Sequence, residues 1–186
     1  MHAAEAVALG YRYPTPTSHE ALVAAVTGLT GTVRRRMGDF VDAVGALELA
    51  EWEELHTATL DLSPLFVPYV GHVVWGENYR RGAFMADLKA DMERIGVGLD
   101  GELPDHIEPV LRYLAEAAEP RTDLTEVVGG AVTTMQETLH KEAPENPYNH
   151  LLAATAAVVE EYRVVTIRTR TMSIAARNPQ PSRAQP

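Results

Sequence analysis

The chain has 186 residues, 46% of them hydrophobic, which is enough to close one core and too apolar for wholesale disorder. It has no cysteine, which excludes disulfides, thiolate zinc sites, iron–sulfur ligation and cysteine nucleophiles together. The net charge of −10 is segregated: residues 1–162 hold all 26 acidic groups against 11 Lys and Arg, a balance of −15, while residues 163–186 carry five arginines and no acid. A body of that sign repels nucleic acid and attracts basic peptides or basic protein faces.

Residues 1–10 carry Glu5 and no Lys or Arg, so the charged start of a secretory leader is missing. The longest apolar stretch, Leu65 to Trp75, contains Pro68 and His72 and is far too short to cross a bilayer. The expected compartment is the cytoplasm, without membrane insertion.

Helical spacing of apolar residues then recurs along nearly the whole chain. Ser18 is placed to cap a first helix through Leu22, Val23, Val26 and Leu29. A second follows Thr30 with Val33, Met37, Phe40, Val41 and Val44, and a third from about Leu47 carries Trp52, Leu55 and Thr59. Pro64 suits the first turn of a fourth helix, Leu65 to Trp75. A fifth runs from about Asn78 to Ile95 through Phe84, Leu88 and Met92, and stops at Gly96, Gly98 and Gly101. Asp105 is placed to cap a sixth through Ile107, Val110, Leu111 and Leu114. A seventh from near Thr122 shows Leu124, Val128, Val132, Met135 and Leu139, and is broken by Pro144 and Pro147. An eighth covers about Tyr148 to Arg163. Tyr162 to Thr171 alone could read as strand, and with no partner strand it is taken as helix end or irregular tail. The expectation is an all-α fold: a single domain of seven to eight helices over residues 1–165, and a flexible, basic, proline-containing tail over 166–186.

Two Glu-x-x-His pairs, Glu53 with His56 and Glu137 with His140, have the spacing that builds di-iron carboxylate bundles. Facing argues against that chemistry, because Glu137 lies about 200° around the helix from the apolar Met135 at 100° per residue. Thr133, Glu137, His140 and Lys141 are expected on the wet face. No Gly-x-Ser-x-Gly elbow and no Lys-bearing phosphate loop is present. Arg34, Arg35 and Arg36 could contact a phosphate or a peptide carboxylate, but one basic turn in an acidic body reads first as a solvated helix face. No catalytic set and no stably bound cofactor or metal is expected, so the chain reads as a binding protein and not as an enzyme.

The region from Leu60 to Leu103 differs in kind. Leu65, Phe66, Val67, Tyr69, Val70, Val73, Val74 and Trp75 are apolar on every side, as in a buried helix or the wall of a groove. A charged turn, Gly76-Glu77-Asn78-Tyr79-Arg80-Arg81-Gly82, follows, and Glu102-Leu103-Pro104-Asp105-His106 opens the next helix. Plain capping accounts for Asp105 but not for Glu102 and His106 together.

These two motifs, with Leu60-Asp61-Leu62 before them and Leu111-x-x-Leu114 after, resemble the delta-subunit chaperones of respiratory nitrate reductase, the NarJ/TorD group, in helix order over about residues 15–165. Leu103 is closer to the nitrate reductase-like branch than to the TorD branch, where Glu-Pro often precedes Asp-His. The resemblance implies an all-helical cytoplasmic chaperone, monomeric or weakly dimeric. Its partner would be the N-terminal or leader segment of the apo catalytic subunit of a molybdenum iron–sulfur oxidoreductase, held while molybdenum cofactor is inserted into that client. By position, Pro104, Asp105 and His106 with Glu102 would form a target-binding hinge. Tyr69, His72, Trp75, Glu77, Tyr79, Arg80 and Arg81 would line a peptide groove near Trp75. The rival readings are a generic helical adaptor or regulator acting on a mature partner, and a di-iron carboxylate bundle.

Overall fold

The computed structural model describes residues 1–62, 64–118 and 120–177, with backbone alone at 122 and 165–177. Among them the chain is all-α: α1 (Ala3–Leu9), α2 (Ser18–Thr27), α3 (Gly31–Gly45), α4 (Leu49–Leu60), α5 (Val70–Trp75), α6 (Tyr79–Ile95), α7 (Ile107–Glu116), α8 (Thr122–Glu142) and α9 (Tyr148–Arg177). No helix among the described residues is long and apolar enough to cross a membrane.

The helices share one core, organised on the first half of α9. Tyr148, Leu151, Leu152, Ala154 and Val158 are all fully buried there, and α8, α3 and α1 pack around them. The α3 stripe predicted from spacing, Val33, Met37, Phe40, Val41 and Val44, is the buried face, and Phe40 meets the edge of Tyr148 at 5.3 Å between centroids. On α8, Leu124, Val128, Val132, Met135 and Leu139 are buried, while Thr133, Glu137, His140 and Lys141 face solvent as expected.

α1 has no counterpart in the apolar spacing, which predicts no helix before Ser18. Its small residues Ala4, Ala6 and Ala8 are buried with Val7. They let the helix lie close to α7 and α9, and Gly10 follows with no side chain where a Cβ would fall 2.6 Å from Leu151 Cδ1. The Tyr11 hydroxyl then bonds Thr155 Oγ1 at 2.7 Å, tying the exit of α1 to α9.

Two other expectations are corrected, and a boundary is placed within a helix. Thr17 holds the N-cap position of α2 without a side-chain cap bond, and Ser18 Oγ instead accepts from the Thr15 N–H at 2.9 Å in the preceding turn. The helix expected over Leu65–Trp75 begins only at Val70. Pro68 lacks an N–H and biases Val67 away from helical dihedrals, and Tyr69 is extended. At the other end, the expected domain boundary at 165/166 falls inside α9, whose helical backbone continues through Tyr162–Thr171 to Arg177. The tail predicted from Asn178 onward lies outside the described residues.

Candidate functional site

Sequence context makes Asp105 the expected cap of α7. It is not. His106 is the N-cap, its Nδ1 accepting the Glu108 N–H at 3.3 Å, and Asp105 turns inward, fully buried. Its partner is Arg81, the third residue of α6. Arg81 Nε donates to Asp105 Oδ2 at 2.8 Å and Nη2 donates to Oδ1 at 3.3 Å, a two-pronged charge-assisted pair. The hydrogen bond to Asp105 raises the Arg81 pKa, so the guanidinium stays charged although its side chain is only 12% exposed.

This pair sits where two extended pieces of backbone meet. Val70 N–H donates to the Asp105 carbonyl at 2.8 Å and Ile107 N–H to the Pro68 carbonyl at 2.9 Å, an antiparallel bridge centred on Tyr69 and His106. The contact depends on Gly71, because a Cβ there would fall 2.7 Å from Asp105 Oδ2. The Tyr69 ring stands edge-on to His106 at 5.1 Å with the Arg81 guanidinium 5.6 Å from its centroid. The Tyr69 hydroxyl donates to Glu102 Oε2 at 3.3 Å, and burial, then the Glu102 charge, raises its pKa.

Arg81 Nη1 also lies 3.4 Å from both His72 Nδ1 and Glu77 Oε1, which are themselves 3.1 Å apart. Seven of the eleven residues singled out from sequence, Tyr69, His72, Glu77, Arg81, Glu102, Asp105 and His106, thus form one connected network. Pro104 is buried beside it. Trp75 instead packs against Phe84 at 5.0 Å, and Tyr79 and Arg80 are exposed.

A cleft of about 480 Å³ opens on the His106 side of Tyr69. Its aromatic surface comes from Tyr11, Tyr13, His56, Tyr69 and His106, with Leu60 and Leu99 between them. Asp61, Asp100, Glu102 and Glu108 supply carboxylates, and Arg12 one cation. Of the groove and hinge residues expected from the motifs, Tyr69, Glu102 and His106 line this cleft, whereas His72 and Trp75 do not. The remaining wall is built by α4 and by the segment after α1. A pointer exists in the sequence, since Asp61 lies in the Leu60-Asp61-Leu62 motif and Tyr11 and Tyr13 stand in a Gly- and Pro-bounded stretch. Their meeting with residue 106 is a tertiary fact with no local signal.

The charges of the cleft are unequally spoken for. Glu108, with a side chain only 7% exposed, receives Arg12 Nε at 2.8 Å and Arg112 Nη1 at 3.4 Å, and Arg112 also holds Asp100 Oδ2 at 2.6 Å. Asp61 and Glu102 have no ion pair with a cation among the described residues. His56, one of the Glu-x-x-His histidines, points inward, with Nδ1 2.9 Å from the Tyr148 hydroxyl and its ring edge-on to Tyr13 at 5.3 Å. Burial lowers its pKa to about 4, the Asp61 charge opposing. Burial lowers the His106 pKa as well, against the pull of Glu102, Glu108 and Asp105.

Two outcomes follow from these contacts. Arg81→Met, which strands a fully buried carboxylate, should destabilise the chain by about 3–5 kcal/mol in urea denaturation, and Asp105→Leu by a similar amount. The double substitution should lose clearly less than the sum, and strict additivity would contradict the coupling. The second concerns pH. A histidine that protonates at about 4 when folded and at 6.5 when unfolded takes up its proton first in the unfolded chain. Stability should therefore fall as pH is lowered from 6.5 toward 4, and His56→Gln should flatten that dependence of the urea midpoint. An unchanged slope in the variant would exclude His56 as a source.

The sequence matches no family model and no curated protein, so the functional reading rests on the geometry above and on the motif resemblance.

Proposed function

We propose that this chain is a cytoplasmic maturation chaperone that receives the N-terminal segment of an apo-molybdoenzyme catalytic subunit in the cleft beside His106. The observation that carries the reading is the coincidence of motif and cavity. Glu102 and His106, from the Glu-Leu-Pro-Asp-His element on which the resemblance to the NarJ/TorD group rests, line a cleft with aromatic walls and two carboxylates that no cation neutralises among the described residues.

The chemistry suits a basic, partly apolar peptide. Tyr11, Tyr13, Tyr69 and the leucines offer surface for apolar side chains, and apolar burial would supply most of the affinity. Asp61 and Glu102, set in a body of charge −15 over residues 1–162, would raise the encounter rate and select basic segments. The Arg81–Asp105 pair and the Tyr69–His106 bridge hold the two walls in register, so little ordering would be needed on binding. Cofactor chemistry would belong to the client: the chaperone would hold the segment while molybdenum cofactor enters the partner. A generic adaptor, by contrast, would bind a mature folded partner.

The test is calorimetry with a synthetic peptide copied from the N-terminus of a molybdoenzyme catalytic subunit encoded in the same genome. Binding in the micromolar range is expected, weakening as salt is raised because the rim charges are screened. No heat at tens of micromolar with folded protein, or binding only to the mature cofactor-loaded enzyme, would overturn the reading.

A further inference from the structure

The tautomer of His106 is fixed by the fold. Its Nδ1 accepts the Glu108 backbone N–H at 3.3 Å, so the proton of the neutral ring is on Nε2. His106 is 6% exposed and lines the cleft, and its Nε2–H has no hydrogen-bond partner among the described residues. The ring is otherwise buried, and this nitrogen is left accessible on the cleft side, where it can donate to a ligand acceptor. The same cleft is lined by Asp61 and Glu102, the two carboxylates that no arginine neutralises among the described residues. Among the described residues the Glu102 carboxylate accepts a hydrogen bond only from the Tyr69 hydroxyl, at 3.3 Å, and Asp61 acts electrostatically on both Tyr69 and His56. The cleft lining therefore presents two carboxylates open to a cation and a hydrogen-bond donor open to an acceptor.

Few groups offer both within a few ångströms. A lysine ammonium or an arginine guanidinium lies several bonds from any carbonyl of its own residue. In the first residue of a polypeptide the α-nitrogen and the carbonyl oxygen are about 3 Å apart, joined through one Cα and one carbonyl carbon. We propose that the cleft binds the free amino-terminus of a polypeptide, with the α-ammonium between the Asp61 and Glu102 carboxylates and the first carbonyl oxygen accepting the His106 Nε2–H. The Tyr13 and Tyr69 rings border the cation, and Leu60 and Leu99 take the first side chain. The identity of the polypeptide as a client leader rests on the chaperone reading above; the chemistry of the grip does not.

The test titrates the full chain with L-alanyl-L-alaninamide and with its N-acetyl form, following the His106 ring proton resonances. The free amine should shift them saturably and the acetylated form should bind at least about tenfold more weakly. Affinity should also fall above about pH 8, where an α-amino group loses its proton. Asp61→Asn and Glu102→Gln, both at exposed positions, should each weaken the free amine about tenfold with the urea midpoint little changed. Equal binding of the two forms, no shift with either, or equal binding of N-acetyl-lysinamide would overturn the assignment. With the client peptide itself, equal affinity of the free and acetylated forms would overturn this inference and leave the chaperone reading standing. Dipeptide binding without client binding would do the reverse.

Discussion

The site depends on one buried ion pair. Asp105 is fully out of water, and an unpaired carboxylate there would carry a desolvation cost of several kcal/mol. Arg81 meets it with two prongs, and because Arg81 belongs to α6 while Asp105 precedes α7, the pair fixes the start of both helices relative to each other. The same arginine reaches His72 on α5, Glu77 in the turn before α6, and the face of Tyr69. Gly71 is required because any side chain there would collide with the Asp105 carboxylate. A cavity wall is thereby built from segments that carry no regular secondary structure, residues 64–69 and 101–106, which would otherwise be the least constrained part of the molecule.

Electrostatics then separate the carboxylates by role. Asp105 and Glu108 are buried and matched to arginines, and serve the fold. Asp61 and Glu102 are exposed at the cleft without such partners among the described residues, which leaves their field open toward the cavity. The two buried imidazoles, His56 and His106, are kept neutral by burial and act as hydrogen-bonding groups. His106 is the more consequential, since one nitrogen caps α7 and the other borders the cavity.

Much of this is legible in the sequence, for identifiable reasons. The α3 and α8 stripes emerge from spacing because each helix buries a single face, which periodicity reports directly. The Gly-Glu-x-x-x-Arg-Gly and Glu-Leu-Pro-Asp-His motifs stand out because they combine charged residues with a helix start, and the fold does join Arg81 to Asp105. Spacing fails where long-range partners override local preference. Asp105 has the sequence context of a cap, but the buried guanidinium outcompetes the helix N–H groups and the cap passes to His106. Leu65–Trp75 is apolar throughout, yet Pro68 and the bridge to residue 106 hold its first half extended. α1 is too short and too rich in alanine to show a stripe. The cleft's second wall, from Tyr11, Tyr13 and His56, joins residues separated by more than forty positions, which no local pattern encodes.

Hydrogen–deuterium exchange of the chain, with and without an N-terminal peptide of a molybdoenzyme catalytic subunit, reports which backbone segments a ligand covers. Slowed exchange on peptide addition should concentrate in the backbone of residues 66–70 and 101–107, with a second patch at residues 11–13. Protection confined to the outer surfaces of α8 and α9, with those three segments unchanged, would contradict it.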